Sequence, residues 1–199
     1  MMAVNMMGRG KSLDVEELVL RSKEGKVSDK EIEQVAVLLR GEHDDEQTYG
    51  LLYVIGRSLS RSHEELVAGF LEHRDHPTVA RLALQILCNF WDLTEKYLDQ
   101  MQRFIDCVDW DSFGEVRQMA ISSAGYYLRD HRRSDLLSGL LKRAALDNDE
   151  ALERRFATEA IATALGYPIV ETLKGKESRE QWAAEVLAQG HARLATEGS

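Results

Sequence analysis

A short pattern recurs along this chain at intervals close to forty residues. The stretch Val116-Arg117-Gln118-Met119-Ala120-Ile121-Ser122-Ser123-Ala124 returns as Phe156-Ala157-Thr158-Glu159-Ala160-Ile161-Ala162-Thr163-Ala164. Alanine, isoleucine and alanine keep the same offsets, and Ala120 and Ala160 stand 40 positions apart. Val79-Ala80-Arg81-Leu82-Ala83-Leu84-Gln85-Ile86-Leu87 puts Ala83 in the place of Ala120, 37 positions earlier. Gln47-Thr48-Tyr49-Gly50-Leu51-Leu52-Tyr53-Val54-Ile55 is a weaker fourth copy with Leu51 in that place. A period of this length marks a repeat architecture. One pair of helices cannot bury its apolar faces alone, whereas stacked pairs can. A small residue at mid-helix then lets the next helix come close, and alanine does this without the helix cost of glycine.

The rest of the chain agrees. Apolar residues return at steps of three and four almost to the end, and no segment alternates with period two. Only 2 prolines interrupt the chain, so long helices are possible. Start signals are plain: Ser28-Asp29-Lys30-Glu31 reads as a capping box, as do Ser62-His63-Glu64-Glu65 and Ser178-Arg179-Glu180-Gln181. Asp14, Thr94 and Ser134 are further N-cap candidates. The pattern predicts ten helices, near 14–24, 29–40, 45–60, 63–73, 77–91, 95–108, 113–130, 134–146, 149–165 and 179–195. Residues 1–12 read as a flexible tail and 13–199 as a single domain.

The second-helix segments "VRQMAISSA", "VARLALQIL" and "FATEAIATA", with their period, resemble the HEAT-repeat family over roughly residues 28–166. The resemblance implies an all-α, right-handed α-α superhelix: a HEAT-like solenoid of about four helical hairpins plus terminal helices. It implies a protein-binding scaffold, with the second helices lining the concave face. The spacing is less even than the family's, and the valine-arginine pair occurs only in the third copy.

Net charge is -9, from 34 acidic and 25 basic residues. A nucleic-acid binder needs a positive surface to displace counterions, so the balance points away from nucleic acid and toward a basic protein partner. Cys88 and Cys107 lie in apolar helical patterns and read as core residues, with no disulfide framework. No run of about 18 apolar residues and no cleavage-site pattern occurs; the expected compartment is the cytoplasm, with no membrane association.

Chemical motifs are weak throughout. Gly8 to Ser12 mimics a phosphate loop, but Asn5 stands where the first glycine belongs and no strand precedes it. His63-Glu64 looks like the pairs that hold di-iron in HEAT-type deoxyhypusine hydroxylases, which need several such pairs; this chain has one. His73 and His76 share a turn without two further converging ligands. Asp44-Asp45-Glu46 and Asp147-Asn148-Asp149-Glu150 suit helix N-termini. No catalytic, metal or cofactor residue is expected.

Two groups of residues are candidates for partner binding. One is a pair of aromatic turns, Trp91-Asp92 and Trp110-Asp111, which read either as core caps or as hot spots with an acidic rim. The other lies on the outward side of the second helices. If Val116, Met119, Ala120, Ser123, Ala124 and Tyr127 face inward, then Ser122, Tyr126 and Arg129 face outward, matched by Tyr53, Arg57, Gln85 and Asn89 in earlier copies. The expectation is a non-catalytic module presenting a curved, acidic surface to a basic protein, in the manner of a bacterial immunity protein neutralising a toxin domain. The alternative is a DNA-binding protein similar to HEAT-like alkylpurine glycosylases. It would use Trp91, Trp110, Asp92 and Asp111 at a lesion, with Arg81, Arg117 and Arg129 on phosphates.

Overall fold

A computed structural model describes residues 14–146, 151–167 and 176–197, and every regular element among them is helical. The helices are α1 (Val15–Lys23), α2 (Asp29–Leu39), α3 (Asp45–Arg57), α4 (Glu64–Ala68), α5 (Pro77–Gln85), α6 (Leu98–Asp106), α7 (Glu115–Asp130), α8 (Ser134–Ala144), α9 (Ala151–Leu165) and α10 (Lys176–Glu197). The tail at 1–12, the glycine-rich text within it, Pro168 and the acidic segment 147–150 lie outside the described residues.

All ten expected helices are present, but several are not purely α. The second repeat's first helix is α4 followed by a 3₁₀ turn over Gly69–Glu72, and α6 is entered through a 3₁₀ turn over Thr94–Tyr97. The segment expected at 77–91 is α only to Gln85; Ile86–Phe90 forms a π turn. Such single-turn insertions shift the following side chains around the axis.

The caps show why the helices begin where they do. Ser28 and Glu31 form the reciprocal box, with the Ser28 N–H donating to Glu31 Oε2 at 2.9 Å. Asp14 accepts from the Glu17 N–H at 3.1 Å, and Asp44 from the Gln47 N–H at 2.8 Å. Four expected caps differ. The chain enters α4 through a 3₁₀ turn, so Ser62 Oγ pairs with Ser60 Oγ instead. Thr94 donates back to the Cys88 carbonyl at 3.2 Å. Ser134 and Ser178 already lie inside their helices, Ser178 because α10 starts at Lys176.

The second helices form one file: α3 packs on α5, α5 on α7, and α7 on α9. The first helices pack against it, α2 on α3, α4 on α5, α6 on α7 and α8 on α9, and α6 also meets α8. α1 packs on α3, extending the file of second helices by one member, and α10 lies across α8 and α9 with Val186 buried. One apolar cluster runs from Leu18 to Val186. The repeated small position is inside it: Ala83 and Ala120 are fully buried, as nearly are Ala160 and Leu51. The closest approaches, however, fall on glycine. A Cβ on Gly125 would stand 2.6 Å from the Ala160 carbonyl oxygen, and one on Gly56 would stand 2.4 Å from Ile86 Cγ1.

Cys88 is buried, and burial pushes its thiol up to about 12. Cys107 is not the core residue expected. It follows α6 at φ 96°, and that left-handed conformation leaves it exposed.

Candidate functional site

The face of the second helices is built by α1, α3, α5, α7 and α9. On α7, Val116, Ala120, Ser123 and Ala124 are buried and Met119 and Tyr127 half-buried, so helical geometry sends Ser122, Tyr126 and Arg129 outward; Tyr126 is 55% exposed. On α3 the same side carries half-buried Tyr53 and exposed Arg57, and on α5 and its π turn half-buried Gln85 and exposed Asn89. The file of helices thus brings these seven residues onto one layer.

Polar contacts cross this layer between repeats. The Tyr49 hydroxyl accepts from Arg81 Nη2 at 3.3 Å, and Thr78 Oγ1 donates to Glu115 Oε2 at 2.8 Å. Ser123 Oγ donates to Asn89 Oδ1 at 2.9 Å. Lys23 Nζ stands 6.0 Å over the Tyr53 ring and Arg57 Cζ 5.5 Å over the Phe90 ring, both within cation–π reach. Lys23 and the role of Tyr49 escaped the sequence reading, as did the pairing of Phe90 with Arg57. Their partners are some thirty positions away, and no local pattern announces a contact across two repeats.

The two tryptophan turns do not form a joint hot spot. Trp91 is 1% exposed and donates its Nε1–H to the Gly56 carbonyl at 3.1 Å, so it is a core residue. Asp111 is 2% exposed, and its Oδ2 accepts from the Arg117 N–H at 3.0 Å in the first turn of α7. Neither side chain is open to a partner. Trp110 is half-buried, edge-on to Phe104 with centroids 6.0 Å apart. Asp92 alone of the four is exposed, at φ 55°. The turns also sit apart, one after the π turn that ends the α5 segment and the other before the start of α7, at opposite ends of two helices that run side by side.

Arg117 also turns inward. Its side chain is 12% exposed and pairs at 2.6 Å with Glu153, itself 14% exposed; Arg143 meets the same carboxylate at 3.4 Å. This cluster ties α7, α8 and α9 together and removes Arg117 from any phosphate-binding role.

The histidine pairs resolve into separate contacts. His63 is buried and faces Glu33 at 3.3 Å, while Glu64 points the other way to Lys96 at 2.6 Å and accepts from the Tyr97 hydroxyl at 2.6 Å. The Lys96 contact, then Tyr97, holds the Glu64 carboxyl below its ordinary range, and burial, then Glu64, pushes Tyr97 up. His73 and His76 both meet Asp45, at 3.5 and 2.5 Å, and fasten the turn before α5 to the start of α3. Among the described residues, no group of three or more histidine, cysteine, aspartate or glutamate side chains is arranged to hold a metal ion.

Where α7 ends, a polar cavity of about 320 Å³ opens between Arg129, Arg132 and Arg193. Arg193 crosses it from α10, donating to the carbonyls of Leu128 and His131 at 2.8 Å and of Ala164 at 3.0 Å. These carbonyls end α7 and α9, where the helix dipole is negative, so the arginine neutralises both ends and clamps α10 to the stack. No helix among the described residues is long and apolar enough to cross a membrane.

No protein-family model, no curated protein and no solved structure matches the chain.

Proposed function

We propose that this chain is a HEAT-like α-solenoid, its hairpins winding as a right-handed superhelix, and that it works as a non-catalytic protein-binding module through the face of its second helices. One observation carries the reading. Tyr53, Arg57, Gln85, Asn89, Ser122, Tyr126 and Arg129, drawn from three successive repeats, lie half-buried or exposed along one file of helices. Tyrosine and arginine supply much of the binding energy at protein interfaces. Rings and guanidinium groups already braced by neighbours lose less freedom when a partner arrives.

The expectation of a basic partner, a toxin domain among them, rests on the total charge of the chain. The proposal keeps the protein partner and the face, and the sign of the partner is argued separately below. The glycosylase-like alternative is weakened, because Trp91 and Asp111 are buried and Arg117 is committed to Glu153.

The test is affinity capture from the native cell with the wild-type chain and a Tyr126→Ala, Arg129→Ala variant in parallel. Both side chains are exposed, and the variant removes only the Arg129–Asp130 contact among the pairs they form. Stability should stay within about 0.5 kcal/mol of wild type. A specific protein retained by the wild type and lost by the variant is the expected result. Retention unaffected by the variant would remove the face from the proposal, and recovery of nucleic acid in place of protein would replace the proposal altogether.

A further inference from the structure

The chain is acidic, yet several carboxylates of its second helices stand beside an arginine: Glu115 has Arg81 at 3.8 Å, Glu159 has Arg155 at 2.9 Å, and Asp130 has Arg129 at 3.3 Å. Two cations at one end are left over. Lys23, closing α1, and Arg57, closing α3, are both exposed, and neither forms an ion pair with a described residue. Each instead stands over a ring, Lys23 over Tyr53 and Arg57 over Phe90. Because α1 packs on α3 and α3 on α5 and its π turn, the two cation–ring pairs are neighbours.

A ring quadrupole orients a cation without cancelling its charge. A guanidinium held over a ring by this attraction keeps its N–H donors available for bidentate donation to a carboxylate. This end of the face therefore holds two positioned, uncancelled charges on an aromatic floor.

We infer that the patch of Lys23, Tyr53, Arg57 and Phe90 docks an acidic segment of a protein partner. Carboxylate side chains meet Lys23 and Arg57, and an apolar or ring side chain beside them lies on Tyr53 and Phe90. The inference takes its location from the proposed docking face and adds the chemistry of the partner. A short acidic segment fits better than a nucleic acid. A polyanion with a phosphate charge every ~1.7 Å of duplex would run on past the two cations, beyond which the arginines of the neighbouring repeats are already engaged by carboxylates.

The test uses the full chain, isotope-labelled for amide mapping by NMR. Three short peptides share one frame of leucine, tyrosine and serine, with the variable positions all Glu, all Gln or all Lys. A single-stranded DNA of the same length is the fourth probe. The Glu peptide should bind tightest, shift amides around Lys23, Tyr53, Arg57 and Phe90, and weaken as salt rises. A Lys23→Glu, Arg57→Glu variant should weaken it about tenfold or more. A Lys30→Glu, Lys142→Glu variant, which makes the same change of charge on the first helices, should bind as wild type does. A Glu peptide that binds on this face no tighter than the Gln or Lys peptide overturns the acidic partner and leaves the docking face intact. Shifts that map to another surface overturn both. DNA binding tighter than the Glu peptide overturns the assignment to protein.

Discussion

Gly125 sits in α7 where α9 comes closest. A Cβ there would lie 2.6 Å from the Ala160 carbonyl oxygen, 2.8 Å from its Cα and 2.9 Å from its Cβ. Two of those atoms are backbone, so no flexible side chain can swing away, and the helices must part for Gly125→Ala to fit. Overpacking of this kind costs about 1–3 kcal/mol, and alanine in a helix interior returns about 1 kcal/mol of that. Contact with backbone places the cost at the upper end, so the net loss is about 2 kcal/mol. In a chain of this length that lowers Tm by about 4–8 °C. Gly69→Ala is the matched control: Gly69 has right-handed helical dihedrals at φ -59°, and nothing lies within 4 Å of a Cβ there. The same chemical change should there stabilise by about 0.4–1 kcal/mol through the unfolded chain alone. Thermal melts followed by circular dichroism should therefore move in opposite directions for the two variants. A Gly125→Ala chain as stable as wild type would refute the close packing of α7 on α9.

Two further outcomes follow from the same packing. Trp91→Phe keeps most of the buried ring but removes the Nε1–H that donates to the Gly56 carbonyl, leaving that oxygen the backbone N–H groups of Ser58 and, at 3.4 Å, Leu59; the loss should be about 2 kcal/mol, read as a lower urea midpoint at unchanged m-value, and an unmoved midpoint would return Trp91 to the surface. The Arg21 guanidinium, then Ser28, holds the Glu31 carboxyl at about 2 against an ordinary 4.5. Its folded value is depressed, so its contribution to stability is complete above pH 4.5 and is lost as pH falls toward about 2. Melts of wild type and Glu31→Gln should converge across that window, and parallel pH profiles would count against the Arg21–Glu31 bond.

The helices were legible because their signal is local. Apolar spacing, capping residues and the repeated alanine register each act within one or two turns, and they placed ten helices close to where they stand. The outward positions of α7 were legible for the same reason, since Ser122, Tyr126 and Arg129 follow from the helical period once the buried side is known. What escaped depends on contacts between repeats. The fate of Trp91 turns on a carbonyl in α3, and that of Asp111 on an amide six residues ahead, in the first turn of α7. An aspartate beside a tryptophan leaves core cap and surface pair both open in a string of letters; the structure buries Trp91 and Asp111 and leaves their neighbours Asp92 exposed and Trp110 half-buried. The π turn was also hidden, because Ile86–Phe90 has ordinary helical composition.

The acidity of the chain and the charge on the face of its second helices answer to different constraints. Total charge governs solubility and long-range repulsion, and it can be spread over any exposed residue. Charge on the face is fixed by the helix ends that border it. Lys23 and Arg57 each fall in the last turn of a helix, where a cation offsets the free carbonyls. That local stabilisation is one reason a basic residue is tolerated there without a carboxylate beside it, and it operates in an acidic chain as well as in a basic one. Because each repeat touches only its neighbours, the cations at the α1–α3 end are governed by α1, α3 and α5 and scarcely by α7 or α9. A stack of hairpins can therefore carry one sign overall and present the other at a single place along its file of second helices, and a partner docking there, as proposed, would be chosen by the patch and not by the net charge.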